Sequence, residues 1–209
     1  MYQKYIKRGL DIIISLAIIF ILWPLLLAIA LLVRIKLGKP VLFSQLRPGY
    51  KGKPFKLYKF RTMTNKCDEF GNLLPAKERT TKFGSILRST SLDELPEIVI
   101  NVLRGEMSLI GPRPLAQQYL PYYTHEEMRR HDVLPGLTGL AQVYGRNNLS
   151  WEKRFECDIK YVDHISFKMD MYIFIQTLLK IAKRSDIIDT RKECEENFDV
   201  YRKKQNEGK

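Results

Sequence analysis

Residues 12–33, IIISLAIIFILWPLLLAIALLV, run for 22 positions without a charged side chain. As a straight helix the run reaches about 33 Å, close to the thickness of a bilayer's hydrocarbon core. A cleaved signal peptide is the first alternative, because Lys4, Lys7 and Arg8 precede the run and Ala28-Ile29-Ala30 mimics a cleavage site. The run continues through Leu31, Leu32 and Val33 beyond that point, which argues for a retained anchor. Lys4, Lys7 and Arg8 lie before it, and Arg34, Lys36 and Lys39 after it. Basic residues near membrane ends favour the cytoplasmic side, and here both ends are basic. Pro24, near the centre, cannot donate to the Phe20 carbonyl. Charge and proline leave two readings open: a spanning helix that tolerates its proline, or a bent segment that enters and leaves by one face.

The remainder of the 209-residue chain is basic, with 35 Lys and Arg against 23 Asp and Glu, a formal net charge of +12. That excess suits nucleic acid, anionic lipid or a phosphate-bearing small molecule. A hydrophobic share of 45% excludes wholesale disorder. Cys67, Cys157 and Cys194 form no CxxC pair, and His125, His131 and His164 are scattered, so reduced thiols fit better than a zinc site.

Beyond the apolar run, 41–46 and 54–60 are rich in β-formers around Arg47-Pro48-Gly49-Tyr50-Lys51-Gly52-Lys53, which predicts a β-hairpin with a longer loop. Residues 64–82 read as a loop with one helical turn. Helices are expected over 83–88, 93–104, 115–131 and 151–162. Gly111-Pro112-Arg113-Pro114 and Pro135-Gly136-Leu137-Thr138-Gly139 read as rigid turns. Residues 165–184 form a second apolar concentration, in which Phe167, Tyr172, Phe174, Leu178 and Ile181 can share a face. That helix suits either the core or a membrane interface. The charged tail after Ser185 is expected to fray. The fold class expected is α+β, mostly helical with one short β-hairpin, divided into an anchor (1–36), a body (37–185) and a tail (186–209).

Chemistry concentrates at Arg88-Ser89-Thr90-Ser91-Leu92-Asp93-Glu94-Leu95-Pro96. Pro96 belongs in the first turn of a helix, which puts Asp93 at or near the N-cap. Two carboxylates at the positive helix end should then be held ionised, as a nucleophile or as ligands for a hard cation such as Mg²⁺. The plain alternative is capping, by Asp93 itself or by a Ser91–Glu94 capping box. Against it stand Lys59, Arg61, Arg88, Arg113 and Arg146 in or beside tight turns. Rigidly held cations with carboxylates and a divalent metal are what phosphoryl transfer requires.

Lys59-Phe60-Arg61-Thr62-Met63, Arg88 to Pro96, Asn101-Val102-Leu103-Arg104-Gly105-Glu106-Met107-Ser108, Gly111-Pro112-Arg113-Pro114, Pro135 to Gly139 and Gly145-Arg146-Asn147 together resemble the bacterial sugar transferase family. These are the monotopic phosphoglycosyl transferases, and the chain is most similar to their minimal, single-domain members over roughly residues 4–184. The resemblance implies transfer of a sugar 1-phosphate from a UDP-sugar to undecaprenyl phosphate, with release of UMP. It implies Asp93 as the nucleophile of a covalent phosphosugar intermediate and Glu94 as its partner in Mg²⁺ binding or proton handling. Arg88 and Arg113 would hold phosphate oxygens, Lys59, Arg61 and Thr62 would line the site, and Arg146 would help place the donor. It further implies a re-entrant helix-break-helix at Pro24 in the bacterial inner membrane, interfacial amphipathic helices, and a body on the cytoplasmic face. Trp23 stands where the family often has serine and Tyr144 where it often has asparagine, departures that bear on the sugar.

The rival reading is a non-catalytic adaptor that binds anionic membrane lipid through its basic face. A nucleic-acid binder is disfavoured by the apolar run and by the lack of a recognised binding motif.

Overall fold

The computed structural model describes residues 2–145, 149–183 and 197–207. After a π-turn at Tyr2–Ile6, helix α1 (Lys7–Leu37) is followed by strands β1 (Leu42–Pro48) and β2 (Pro54–Phe60). Helices α2 (Ala76–Arg79), α3 (Lys82–Ser89) and α4 (Leu95–Glu97) precede strand β3 (Ser108–Ile110). Next come α5 (His125–Met128), β4 (Gly136–Thr138), α6 (Leu140–Tyr144), α7 (Trp151–Asp163), α8 (Phe167–Lys183) and α9 (Phe198–Glu207). The α+β class and the hairpin agree with expectation: β1 and β2 pair antiparallel from Leu42 opposite Phe60 to Pro48 opposite Pro54. A second, parallel pair joins β3 to β4, with Ser108 opposite Gly136 and Ile110 opposite Thr138. The Pro135 to Gly139 segment read as a turn therefore also carries a strand, while Gly111 to Pro114 follows directly on β3.

Helix α1 corrects one expectation. It runs unbroken for 31 residues with Pro24 inside it, so the expected helix-break-helix is not interrupted at Pro24. Proline removes one bond, to the Phe20 carbonyl, and the turns on either side keep theirs. At about 1.5 Å per residue the helix reaches roughly 46 Å, longer than a hydrocarbon core.

Both ends of α1 are tied to the same body. At its start, Lys7 Nζ donates to Asp170 Oδ2 (2.6 Å), and Arg8 Nη2 to the Leu103 carbonyl (2.9 Å). The buried Asp11 Oδ1 accepts from the Leu109 amide at 3.0 Å. Ile14 and Ile18 pack on the main core of Phe55, Leu57, Val102, Met107, Leu140 and Ile173. Near its end, Ile29 and Val33 join a second core with Phe60 and Leu87. Between these attachments the outer face is bare: Phe20 is 80% exposed and Ile21 70%.

Helix α8 also has two characters. Asp170 and Ile173 are buried, while Phe167, Met171, Tyr172, Ile175, Leu178, Leu179 and Ile181 are exposed. The outward apolar face thus keeps Phe167, Tyr172, Leu178 and Ile181, whereas Phe174 packs against the core.

Two further expectations need correction. The helix anticipated over 115–131 is a 3₁₀ stretch at Gln117–Tyr122, the short α5, and a 3₁₀ turn at Arg129–His131. Pro121 removes one donor there, and the Thr124–Glu127 capping box starts a new helix. The tail does not fray throughout, because α9 buries Phe198 completely among Tyr119, Trp151 and Phe155. Its aromatic residue supplies the apolar contact that its charged composition concealed.

Candidate active site

Lys59 continues the inward face set by Phe55 and Leu57 on β2. Its ammonium lies 2.7 Å from Glu94 Oε1 and 3.3 Å from Glu97 Oε1. The buried Asn101 holds that strand against the α4 region: its Nδ2 donates to the Lys56 carbonyl (2.7 Å), and its Oδ1 accepts from the Tyr58 amide (3.1 Å). Asn101 lies on a π-turn, Ile98–Val102, that widens the helix just after the acidic residues.

Asp93 and Glu94 occupy a 3₁₀ turn, Leu92–Glu94, ahead of α4. Ser91 precedes it in the left-handed region (φ 56°, ψ 17°). Neither proposed cap forms: no side chain caps this turn or α4, and Glu94 itself stands at the N-cap position of α4. Pro96 does fall within the first turn. Glu94 is drawn away from capping by two cations, accepting from Lys59 Nζ and from both Arg113 guanidinium nitrogens.

The two acidic neighbours are tuned in opposite directions. Arg113 and Lys59 hold the Glu94 carboxyl well below the usual range despite its burial. Burial, reinforced by the Glu94 charge, pushes Asp93 up to about 6, against the pull of Lys59 and Arg88. The expectation that the helix end depresses both is therefore corrected for Asp93: desolvation outweighs the favourable field. Asp93 is 8% exposed. Apart from its own backbone amide, its carboxylate has no hydrogen-bond partner among the described residues. An ionised, poorly solvated carboxylate of raised basicity is suited to nucleophilic attack.

Close backbone contacts place the remaining cations. Thr81 caps α3 by accepting from the Gly84 amide at 3.0 Å. Gly84 lies so near the segment that follows β2 that a Cβ there would sit 1.8 Å from the Thr62 carbonyl oxygen. This approach lets Arg88 Nε donate to Thr62 Oγ1 (2.9 Å) at the site's edge. Gly111 and Gly136 interlock similarly, a Cβ on Gly136 meeting the Gly111 nitrogen at 2.1 Å. The Pro112-Arg113-Pro114 turn is thereby fixed, and the Arg113 carbonyl accepts from Arg130 Nη2 at 2.8 Å.

The fold thus gathers Asp93, Glu94, Lys59, Thr62, Arg88 and Arg113. Arg61 lies elsewhere: its guanidinium donates to the Lys39 carbonyl (2.8 Å) and the Leu37 carbonyl, clamping the end of α1. Arg146 lies outside the described residues, as does Cys194. Sequence reasoning missed Glu97, whose i, i+3 spacing from Glu94 was a usable signal. Burial and Glu94 push its carboxyl up to about 7. Cys67 and Cys157 are free thiols. Among the described residues no group of three or more His, Cys, Asp or Glu has the geometry of a metal cluster. A metal site completed by substrate phosphates requires only one or two carboxylates, and Asp93, which has no side-chain partner among the described residues, meets that condition.

The family model for bacterial sugar transferases matches residues 2–184. An uncharacterized sugar transferase of Bacillus subtilis (strain 168), EpsL, is 48% identical over 193 residues, covering 92% of this chain and 95% of that protein. The exopolysaccharide production protein PSS of Rhizobium leguminosarum bv. phaseoli is 40% identical, over 86% of this chain and 96% of that protein. A UDP-glucose:undecaprenyl-phosphate glucose-1-phosphate transferase of Klebsiella pneumoniae is 42% identical over 83% of this chain, which spans 39% of that longer protein. On the extent of these matches, the chain belongs to the bacterial sugar transferase family.

Proposed function

We propose that this protein transfers a sugar 1-phosphate from a UDP-sugar to undecaprenyl phosphate through a covalent aspartyl intermediate. The observation that carries the reading is the division of labour in the acidic pair. Glu94 absorbs Lys59 and Arg113, while Asp93 stays buried and free of a side-chain partner among the described residues. In the first half-reaction an Asp93 oxygen attacks the β-phosphorus, the bond to the bridging oxygen breaks, and UMP leaves with that electron pair. In the second, a phosphate oxygen of undecaprenyl phosphate attacks the same phosphorus and Asp93 departs as carboxylate. Arg88 and Arg113 neutralise phosphate oxygens, and Lys59 fixes Glu94. An Mg²⁺ ion would be held by Asp93 and the donor's phosphates, rather than by Glu94, whose two oxygens already accept from Lys59 and Arg113, and it would supply charge neutralisation. The adaptor reading needs the acidic pair as caps, a role that neither side chain fills.

The same reading assigns residues 1–36 to a re-entrant anchor in the inner membrane and residues 37–185 to a catalytic body on its cytoplasmic face, followed by the tail 186–209. It is supported by the attachment of both ends of α1 to one body, by the basic flanks, and by the bare apolar faces of α1 and α8. A helix crossing to the far side of the membrane would pull one of these sets of contacts away from the body. Labelling a cysteine at position 3 from outside intact cells would rule the re-entrant course out.

The activity is tested by incubating purified protein with Mg²⁺, undecaprenyl phosphate and a panel of UDP-sugars, UDP-glucose and UDP-N-acetyl sugars included. UMP release that is lost in Asp93→Asn supports the assignment. No release from any donor, or equal release by the variant, would sink it.

A further inference from the structure

The side chain of Asn101 is fully buried, and all of its hydrogen bonds are accounted for without reaching Asp93, Glu94 or a cation of the site. Among the described residues β2 has only β1 as a strand neighbour, so its other edge leaves backbone groups that a third strand would pair. The Asn101 amide takes that strand's place. Its Oδ1 accepts from the Tyr58 amide at 3.1 Å, and its Nδ2 donates to the Lys56 carbonyl at 2.7 Å. The second Nδ2 hydrogen goes to Glu106 Oε2, also at 2.7 Å. The partners assign the two ends of the amide, because turning it would strand a backbone donor and a backbone acceptor.

The main chain of the same residue holds a second segment. The Asn101 carbonyl accepts from the Glu106 and Met107 amides at 3.0 and 3.2 Å, closing a turn through Gly105 (φ 80°) that leads into β3 and on to Arg113. Asn101 thus joins the two segments that supply Lys59 and Arg113, the cations from which Glu94 accepts. Lys59 follows Tyr58 directly. Its ammonium is a point charge on a flexible four-carbon stem, so its meeting with Glu94 depends on where β2 places its backbone. A slip of one residue along β1 would turn it to the opposite face. Beyond it, Arg61 ties the end of β2 to the Lys39 carbonyl. The strand is therefore held one residue before Lys59 and two residues after it. A Lys59 released from this hold would be drawn to Asp93, whose carboxylate has no side-chain partner among the described residues.

Resting on the transferase reading above, we propose that Asn101 is a positioning residue for the reaction: standing in for a third strand, it keeps Lys59 on Glu94 and so leaves Asp93 free to attack. It acts through Lys59 alone and touches no substrate.

The test is a double-mutant cycle on UMP release per folded molecule, with Asn101→Ala made in the unaltered protein and in a Lys59→Met background. In the unaltered protein Asn101→Ala should lower release about tenfold or more. In the Lys59→Met background the same change should cost less than about twofold, since nothing is left to position. An equal loss in both backgrounds overturns the proposal and makes Asn101 a residue of the fold only, as does unchanged release by Asn101→Ala. A rescue gives a second readout. Asn101→Asp made together with Glu106→Gln keeps the acceptor for Tyr58 without setting two carboxylates against each other, and should recover part of the lost activity. Should Asn101→Ala fail to fold, the Asp–Gln pair is run through the same cycle and decides, and failure of both to fold overturns the proposal. An unaltered protein that releases no UMP defeats the transferase reading itself, whereas normal turnover beside an equal loss in both backgrounds defeats only the role of Asn101.

Discussion

Two regions of this molecule bury charge, and they do so in opposite ways. Between the helices, Arg130 meets Asp158 through Nε and Nη2 at 3.0 and 2.7 Å, each side chain 2% exposed. Nearby, Asp170 takes Lys7, Tyr2 and Tyr161 at 2.6 to 2.7 Å. Every charge there has an answer within the chain. Around Asp93 the balance is left open: among the described residues its carboxylate has no side-chain partner, and Glu97 is pushed towards its neutral form. Closed networks hold a fold together, whereas an open one is completed by something brought from outside.

The contrast can be broken most severely at the nucleophile. Asp93→Asn should lower UMP release by at least about a thousandfold. Its melting temperature should hold or rise, since the change removes a poorly solvated charge. A fall in stability to match the loss of activity would make Asp93 a structural residue. At the closed network the effects should be reversed. Arg130→Met strands Asp158 and should cost about 3–5 kcal/mol by denaturant unfolding, with turnover per folded molecule affected mainly through the Arg113 carbonyl that Arg130 also holds.

Titration sharpens the comparison further. With Asp93 pushed up to about 6, turnover should drop as pH falls through that value, because the protonated carboxyl cannot attack. Glu97 is held up to about 7 from an ordinary 4.5, so the fold keeps a proton that the unfolded chain has released over that window. Stability from this group is full below about 4.5 and is lost as pH rises through 7. Glu97→Gln should flatten that loss, read as melting temperature at several pH values. A Gly84→Ala variant should push α3 away from Thr62 and cut turnover by roughly tenfold through Arg88. Smallest of all, Lys153→Ala removes a pair with Glu156 whose side chains are 65% and 62% exposed, and the melting temperature should stay where it is.

Much of this was legible in the residues. The alternating β-formers on either side of Arg47 to Lys53 gave the hairpin, and the acidic pair before Pro96 marked the site. The roles of single arginines were not legible. Arg61 and Arg113 both sit in proline- or threonine-flanked turns, yet one clamps carbonyls at the end of α1 and the other faces Glu94. Only the packing of distant segments separates them. The rise in Asp93 was hidden for the same reason, since burial of a turn depends on what folds over it. The parallel pair of Ser108–Ile110 with Gly136–Thr138 was missed because three residues are too few to show a period of two.

The long reach of the contacts at the start of α1 has a consequence for how the chain is made. Lys7 and Asp170 lie 163 positions apart, and Asp11 and Leu109 lie 98 apart. At about 5–20 residues per second, a ribosome needs on the order of ten to thirty seconds between synthesising Lys7 and Asp170. For most of that interval the apolar helix is complete while Asp170, which will receive Lys7, does not yet exist. Whatever covers it first, lipid or a targeting chaperone, meets the helix alone, so its delivery precedes the folding of the body to which it is tied.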